Sequence, residues 1–334
     1  MEADHSLSVV MPNYNHARFL PVSLGAIVSQ SFPIKEVIVL DDASTDNSIG
    51  VLQEFAKSRP VVSIMQNEKN LGVVSSMNKL LSLASGDHVH FAAADDMVLP
   101  GFFEKSMELL KRFPEAGLCS TMGRIIDEAG EVIGVLGNPT GLTRGYLRPD
   151  EVLENLLRTG TWIHGNSVIF RRRATTEAGG FIPELGSSTD WFMHQVLGLR
   201  HGLCFVPEEL VCWRLMGTGF HMTSRGDPIR SLQVRQEAAR LMRSTYRKEF
   251  PEHYVKELLY RVGQETWRDL RLQQDRLLAS DYWSGIGWRW TNSLFLKALG
   301  LSMWVQDVGV RMRLFAEFRE FRYWFGKRRA LRRR

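Results

Sequence analysis

Cysteine is scarce in these 334 residues. Cys119, Cys204 and Cys212 are odd in number and lack CxxC spacing, which excludes a disulfide framework or a zinc cluster and leaves buried thiols. No GxxxxGKS/T loop is present and no GxGxxG follows the first strand, so the common phosphate-loop and dinucleotide-binding classes are set aside. Long apolar runs are also missing. The longest outside the strands, residues 294–305, is broken by Lys297 and falls short of the roughly 20 residues that span a bilayer. The opening MEADHSLSVVM has neither a basic start nor an apolar stretch of signal-peptide length, which with the unpaired thiols suggests a cytoplasmic setting. Net positive charge is missing from the body of the chain. Residues 311–334 hold ten Arg and Lys against Glu317 and Glu320, a local balance of +8, so that with +5 overall the remainder is acidic by 3. A nucleic-acid-binding surface would need its positive charge spread over the fold, and that partner is excluded.

The bulk composition, 44% hydrophobic and 24% charged, is that of a soluble globular protein and rules out disorder. The length exceeds one ordinary core of about 100–200 residues. We expect a catalytic-sized domain over residues 1–224 and a helical extension over 225–334, divided in the Gly-, Ser- and Thr-rich stretch 218–227. Apolar β-rich runs at 7–11, 37–40, 61–65 and 88–93 alternate with helical spacing at 19–28, 45–55, 73–83 and 101–113. This alternation predicts an α/β, Rossmann-like fold: a mainly parallel sheet flanked by helices. Beyond residue 114 the spacing predicts strands at 118–122, 125–135, 162–170, 203–206 and 210–215. Helices are expected at 149–157, 189–199, 227–250 and 252–280.

Ligands of open parallel sheets bind beyond the carboxyl ends of the strands. Three polar clusters are expected there: Pro12-Asn13-Tyr14-Asn15, Asp41-Asp42 and Asp95-Asp96. Carboxylates crowded into one crevice repel and raise each other's pKa unless a cation neutralises them. Oxygen ligands alone point to Mg2+ or Mn2+. Ser44 and Asp46 read chiefly as caps of the following helix.

The segments VVMPNYNHARFL, VSQSFPIKEVIVLDDASTDNS and NLGVVSSMNKLLSLASGDHVHFAAADD resemble the family 2 glycosyltransferases of the GT-A fold. The likeness covers about the first 100 residues in the family's order and runs on more weakly to about residue 224. It implies inverting transfer of a sugar from a nucleoside-diphosphate sugar, UDP- or dTDP-linked, to the hydroxyl of a glycan or lipid-linked acceptor. By the same resemblance Pro12, Tyr14 and Asn15 lie near the nucleobase and Asp42, beside Asp41, accepts a hydrogen bond from it. Asn70, Gly72 and Asn78 match the family's loop and helix between the third and fourth strands, although Ser75-Ser76-Met77 offers no counterpart to its usual basic residue. Asp95-Asp96 matches the family's metal- and diphosphate-binding motif, with Asp96 as the direct ligand. Asp190 matches the base, with Thr189 where the family has an acid. His164, Gly165 and Asn166 fall in the acceptor-side segment. Where the family closes the donor site with an aromatic-Arg-x-His element, this chain has Trp213-Arg214-Leu215-Met216. Arg214 is then the phosphate contact, and His221 the replacement metal ligand.

From residue 282 to 325 aromatic residues recur among arginines, the mixture of amphipathic surface helices. The expectation is a peripheral seat on an anionic membrane, at the inner face of the cell membrane. A different class of function is a non-catalytic nucleotide-sugar-binding or membrane adaptor protein, motivated by Thr189 and Met216.

Overall fold

The computed structural model describes residues 5–137, 141–216 and 228–272. His221 and residues 282–334, with the aromatic and basic end, lie outside the described residues. The chain divides into two units, Met1–Gly219 and Phe220–Arg334.

In the first unit the opening alternation is present. β1 (Leu7–Asn13), β2 (Glu36–Asp41), β3 (Val62–Gln66) and β4 (His88–Phe91) alternate with α1 (Leu20–Val28), α2 (Ser48–Ala56) and α3 (Val73–Leu83). These four strands are parallel in the order β3-β2-β1-β4. β1, β2 and β4 are buried along nearly their whole length, as strands covered on both faces are. Strand direction then becomes mixed. β5 (Met97–Val98), α4 (Phe102–Arg112), β6 (Leu118–Ile126), β7 (Val132–Leu136) and β8 (Gly145–Leu147) follow. Next come α5 (Pro149–Thr159), β9 (Val168–Arg171), α6 (Arg172–Glu177), α7 (Thr189–His201) and β10 (Leu203–Arg214). The sheet continues from β4 as β9-β6-β10-β5; β9 runs antiparallel to β4 and β6, and β10 parallel to β6.

Two expected strand pairs are differently cut. Residues 118–126 form one strand, with a turn before β7, and residues 203–214 form one strand with irregular pairing near Glu209. The expected strand at 162–170 is a 3-10 turn, Gly165–Ser167, leading into the shorter β9. The core under the sheet gathers Leu7, Val9, Leu24, Val37, Phe102 and Phe103. All three cysteines are buried and free, and Cys119 and Cys204 are register partners on β6 and β10.

In the second unit, α8 (Pro228–Arg243) and α9 (Glu252–Leu272) pair with each other. The helix expected to reach residue 250 stops at 243. Among the described residues no helix is long and apolar enough to cross a membrane.

Candidate active site

The parallel register sets Asn13 beside Asp41 at the carboxyl ends of β1 and β2. Asn13 Nδ2 donates to Asp41 Oδ2 at 2.8 Å, and Asp41 Oδ1 accepts the Ser44 amide at 2.9 Å. Asp41 has no exposed surface. In this structure its carboxylate joins the two strand ends. The loops beyond are cross-linked as well. Asn15 Oδ1 accepts from the Thr45 amide at 2.7 Å, Ser44 Oγ from the Asn15 amide at 2.9 Å, and Asp46 Oδ2 from the Ala17 amide at 3.0 Å. Asp46 Oδ1 also takes the Ser48 amide at 2.9 Å, and the helix begins at Ser48 rather than Thr45, with Asn47 and not Ser44 or Asp46 at its N-cap position. Asn15 and Ala43 hold left-handed backbone at φ 59° and 61° in these facing loops. Such strain in non-glycine residues collects where a loop is held for a purpose. Tyr14 projects from this network with 42% of its surface exposed, and Pro12 is half-buried beside it.

Asp42 is buried yet heavily engaged. Its Oδ1 accepts Asn67 Nδ2 at 2.7 Å and the Leu71 amide at 2.9 Å, and its Oδ2 accepts the Gly72 amide at 2.8 Å. Gly72 sits at φ 84°, a conformation that a side chain disfavours, and Asn70 Oδ1 braces the same amide at 2.9 Å. Asp42 thus shapes the loop that opens α3, and keeps one free lone pair on Oδ2. Asn67 Oδ1 takes the Lys79 ammonium at 2.7 Å, so a cation does stand in this network, one position beyond Asn78. Asn67 was missed in the sequence although it follows β3, at the same strand-end position that singled out the other clusters.

Asn78 turns away from the crevice. Its amide donates to Phe181 O at 2.7 Å and accepts from Phe181 N at 2.8 Å. These two bonds tie α3 to the segment before α7. The adjacent Ile182 amide donates to Thr189 Oγ1 at 2.6 Å, which gives the residue in place of the family's acid a structural task at the start of α7.

On the other flank, β4 ends beside β1, and the pairing continues as the Ala92 amide donates to Val10 O at 2.9 Å. Ser23 Oγ from α1 donates to Ala93 O at 3.1 Å. The turn that follows carries Asp95, half-buried, and Asp96, only 6% exposed. Asp96 Oδ1 accepts the Arg214 backbone amide at 2.7 Å, since Met97 pairs with Cys212 and brings the end of β10 alongside. The Arg214 guanidinium points inward. Its Nε donates to Asp95 O at 2.9 Å and its Nη1 to Asp127 O and Glu128 O at 2.9 and 3.1 Å, and its Cζ lies 4.8 Å from the Phe19 ring centre. These bonds tie the β6–β7 turn to the acidic turn. Burial first, and the neighbouring Asp95 second, push the Asp96 carboxyl well above its usual range, against the Arg214 amide and the Asn166 side chain. A carboxyl in that position is ionised at neutral pH when a cation sits against it, so the donor set fits a hard divalent ion. Among the described residues no three His, Cys, Asp or Glu side chains form a ready cage. Two carboxylates completed by substrate phosphate oxygens are the usual way Mg2+-type ions are held.

Asp190 occupies the first turn of α7, its Oδ1 accepting the Trp191 amide at 2.7 Å. Its Oδ2 lies against Gly165, where an added Cβ would stand 2.3 Å away. β2, β1 and β4 are consecutive in the sheet, so Asp42 and Asp96 lie beyond one sheet edge.

A twisted α/β sheet, parallel in its first four strands and carrying acidic turns at their carboxyl ends, is the GT-A fold of nucleotide-sugar enzymes. The model of the family described as "Glycosyl transferase family 2" matches residues 8–175, half of the sequence, and this chain belongs to that family. It is therefore a glycosyltransferase. An uncharacterized glycosyltransferase of Haemophilus influenzae is 27% identical over 219 residues, 65% of this chain and 68% of that protein. S. aureus TarS in complex with UDP-GlcNAc is similar with a TM-score of 0.64 at 15% identity, covering 94% of this chain and 92% of that one. The mannosyltransferase PcManGT of Pyrobaculum calidifontis, in complex with GDP-Man and Mn2+, has a TM-score of 0.51 at 17% identity and covers 92% and 86%. These structural likenesses concern the fold.

Proposed function

We propose that the chain transfers a sugar, with inversion, from a nucleoside-diphosphate sugar to an acceptor hydroxyl in the synthesis of a surface polysaccharide or glycolipid. The observation that supports this reading is the strand order, which sets the carboxyl ends of β2, β1 and β4 side by side, with Asp42 following β2 and the buried Asp96 in the turn after β4. Tyr14 and Pro12 offer a face to the nucleobase, and the open lone pair of Asp42 Oδ2 accepts a ring N–H. Asn15 and Asp41 hold these loops in place. The UDP-GlcNAc complex of TarS and the GDP-Man complex of PcManGT support a nucleotide-sugar donor, which by the sequence resemblance we take to be a UDP- or dTDP-sugar.

The acceptor oxygen attacks the anomeric carbon from the face opposite the diphosphate. The carbon–phosphate-oxygen bond breaks, the nucleoside diphosphate departs with that electron pair, and Asp190 takes the hydroxyl proton. Asp96, assisted by Asp95, would hold Mn2+ or Mg2+, which when bound offsets the negative charge developing on the diphosphate. His221 is carried as a further ligand on sequence grounds alone.

The test uses the full chain with UDP-GlcNAc, UDP-glucose, dTDP-glucose and GDP-mannose, each with MnCl2 or MgCl2. Release of nucleoside diphosphate from one donor, reduced to background by EDTA, is the expected result. Tight donor binding without release under any condition would favour the adaptor reading.

The basic end supports a peripheral seat at an anionic membrane on the cytoplasmic face. Deleting residues 311–334 is expected to weaken co-sedimentation with phosphatidylserine-containing vesicles, with the intact chain's binding falling as salt rises. Unchanged co-sedimentation would remove this part of the proposal.

A further inference from the structure

Asp96 and Asp190 have separate duties in the proposed reaction, and one short segment reaches both. The Gly165–Ser167 turn is tightly held: the Ser167 amide and Oγ both donate to His164 O, at 3.0 and 2.8 Å, and Ser167 Oγ meets Ser120 Oγ of β6 at 3.0 Å. On one side the absent side chain of Gly165 leaves the space filled by Asp190 Oδ2. A methyl group there would lie 2.3 Å from that oxygen and 3.4 Å from the carboxyl carbon. On the other side Asn166 Nδ2 donates to Cys212 O at 3.3 Å, two residues before Arg214, whose amide holds Asp96 Oδ1. Asn166 and Asp96 also line one cavity of about 10 Å³ with Ser23 and His90, room for a single water.

We propose that Gly165 and Asn166 are positioning residues that set the spacing between the two carboxylates, Gly165 by yielding its side-chain space to Asp190 and Asn166 by bracing the strand end and turn that hold Asp96. This rests on the reading of Asp96 and Asp190 given above. The atom a Gly165 methyl would strike is the far end of a flexible side chain, so Gly165→Ala folds and moves the carboxylate instead of the backbone. Displacement of a reacting group by about 1 Å costs on the order of 100-fold in rate.

Three measurements test the assignment. A crystal structure of Gly165→Ala should show the Asp190 carboxylate displaced by about 1 Å or more; an unmoved carboxylate overturns the role of Gly165. In nucleoside-diphosphate release, Gly165→Ala should lose about 100-fold in kcat with the donor KM unchanged, and adding it to Asp190→Asn should cost nothing more. Full rate, or additive losses, would count against it. Asn166→Ala should weaken Mn2+ binding about 10- to 100-fold in calorimetric titrations with UDP present, as loss of a ligand's supporting partner does, whereas Gly165→Ala should leave it unchanged. Unaltered Mn2+ affinity in Asn166→Ala overturns the role of Asn166. The structure and the titration are read without turnover, so a wild-type chain that releases no nucleoside diphosphate would sink the functional reading while leaving these two results standing on their own.

Discussion

Asp190→Asn is expected to lower sugar transfer by about 10²- to 10⁴-fold, the contribution of a well-placed general base. The substitution keeps size and planarity. An asparagine can still accept the Trp191 amide, now at 2.7 Å from Asp190 Oδ1, and still fits the space left by Gly165. Its second terminal atom becomes an NH2 that cannot take the acceptor's proton. Donor binding, which we propose rests on Tyr14, the strand-end loops and the Asp95-Asp96 turn, should stay within about twofold, so the loss falls on kcat and not on KM. The measurement is transfer with saturating donor, paired with equilibrium titration by UDP. An Asp190→Asn chain that works at full rate assigns the base to another residue.

The second large effect concerns stability in acid. His88, His90 and His194 are essentially fully buried. Burial pushes His90 down to about 4 despite the bond of its Nδ1 to Val168 O at 2.9 Å, with Phe102 and Phe103 packed on its ring. His88 is pushed to about 4 by burial, then by the charges of Arg171 and His5, with Asp87 opposing. His194, stacked on Phe170, is pushed to about 3 by burial and then by His164, and neither ring nitrogen has a hydrogen-bond partner. In the unfolded chain each titrates near 6.5. Because the folded values are depressed, the unfolded chain binds more protons between pH 6.5 and about 4, and stability falls as pH falls through that window. Each histidine represents on the order of 3 kcal/mol when the window is fully crossed, against a total of about 5–15 kcal/mol for a typical domain. The urea midpoint should therefore drop steeply between pH 6.5 and 4.5, and His194→Leu should flatten that slope. A midpoint constant down to pH 4.5 would contradict the burial of these rings.

Much of this was legible in the sequence for a local reason. Strands β1 to β4 are short apolar runs bounded by polar turns, and α3 was expected with the bounds it has, because its buried positions Val74, Leu80 and Leu81 recur at helical spacing after a glycine. The family's motifs lie on those same elements, so fold and family were readable together. Beyond residue 114 the alternation fades. A long strand with irregular pairing such as β10 looks like two, and the turn Gly165–Ser167 looks like strand because its neighbours are apolar.

The candidate site divides along a different line. That polar residues gather at the ends of β1, β2 and β4 followed from strand order alone. Which of them face a ligand did not, because each polar side chain chooses between solvent, substrate and any backbone group brought near by the fold. Arg214 found three carbonyl oxygens and the face of Phe19, Asn78 found both backbone groups of Phe181, and Asp41 found Asn13 and Ser44. Periodicity determined the elements of the first 113 residues, and the motifs on them carried the resemblance to the family. Only the packing of distant segments decided that Gly165 would yield its space to Asp190 and that Asp96 would be buried against the end of β10. Hydrogen-bond partners and desolvation belong to neighbours in space, and here those neighbours lie up to 119 residues away along the chain.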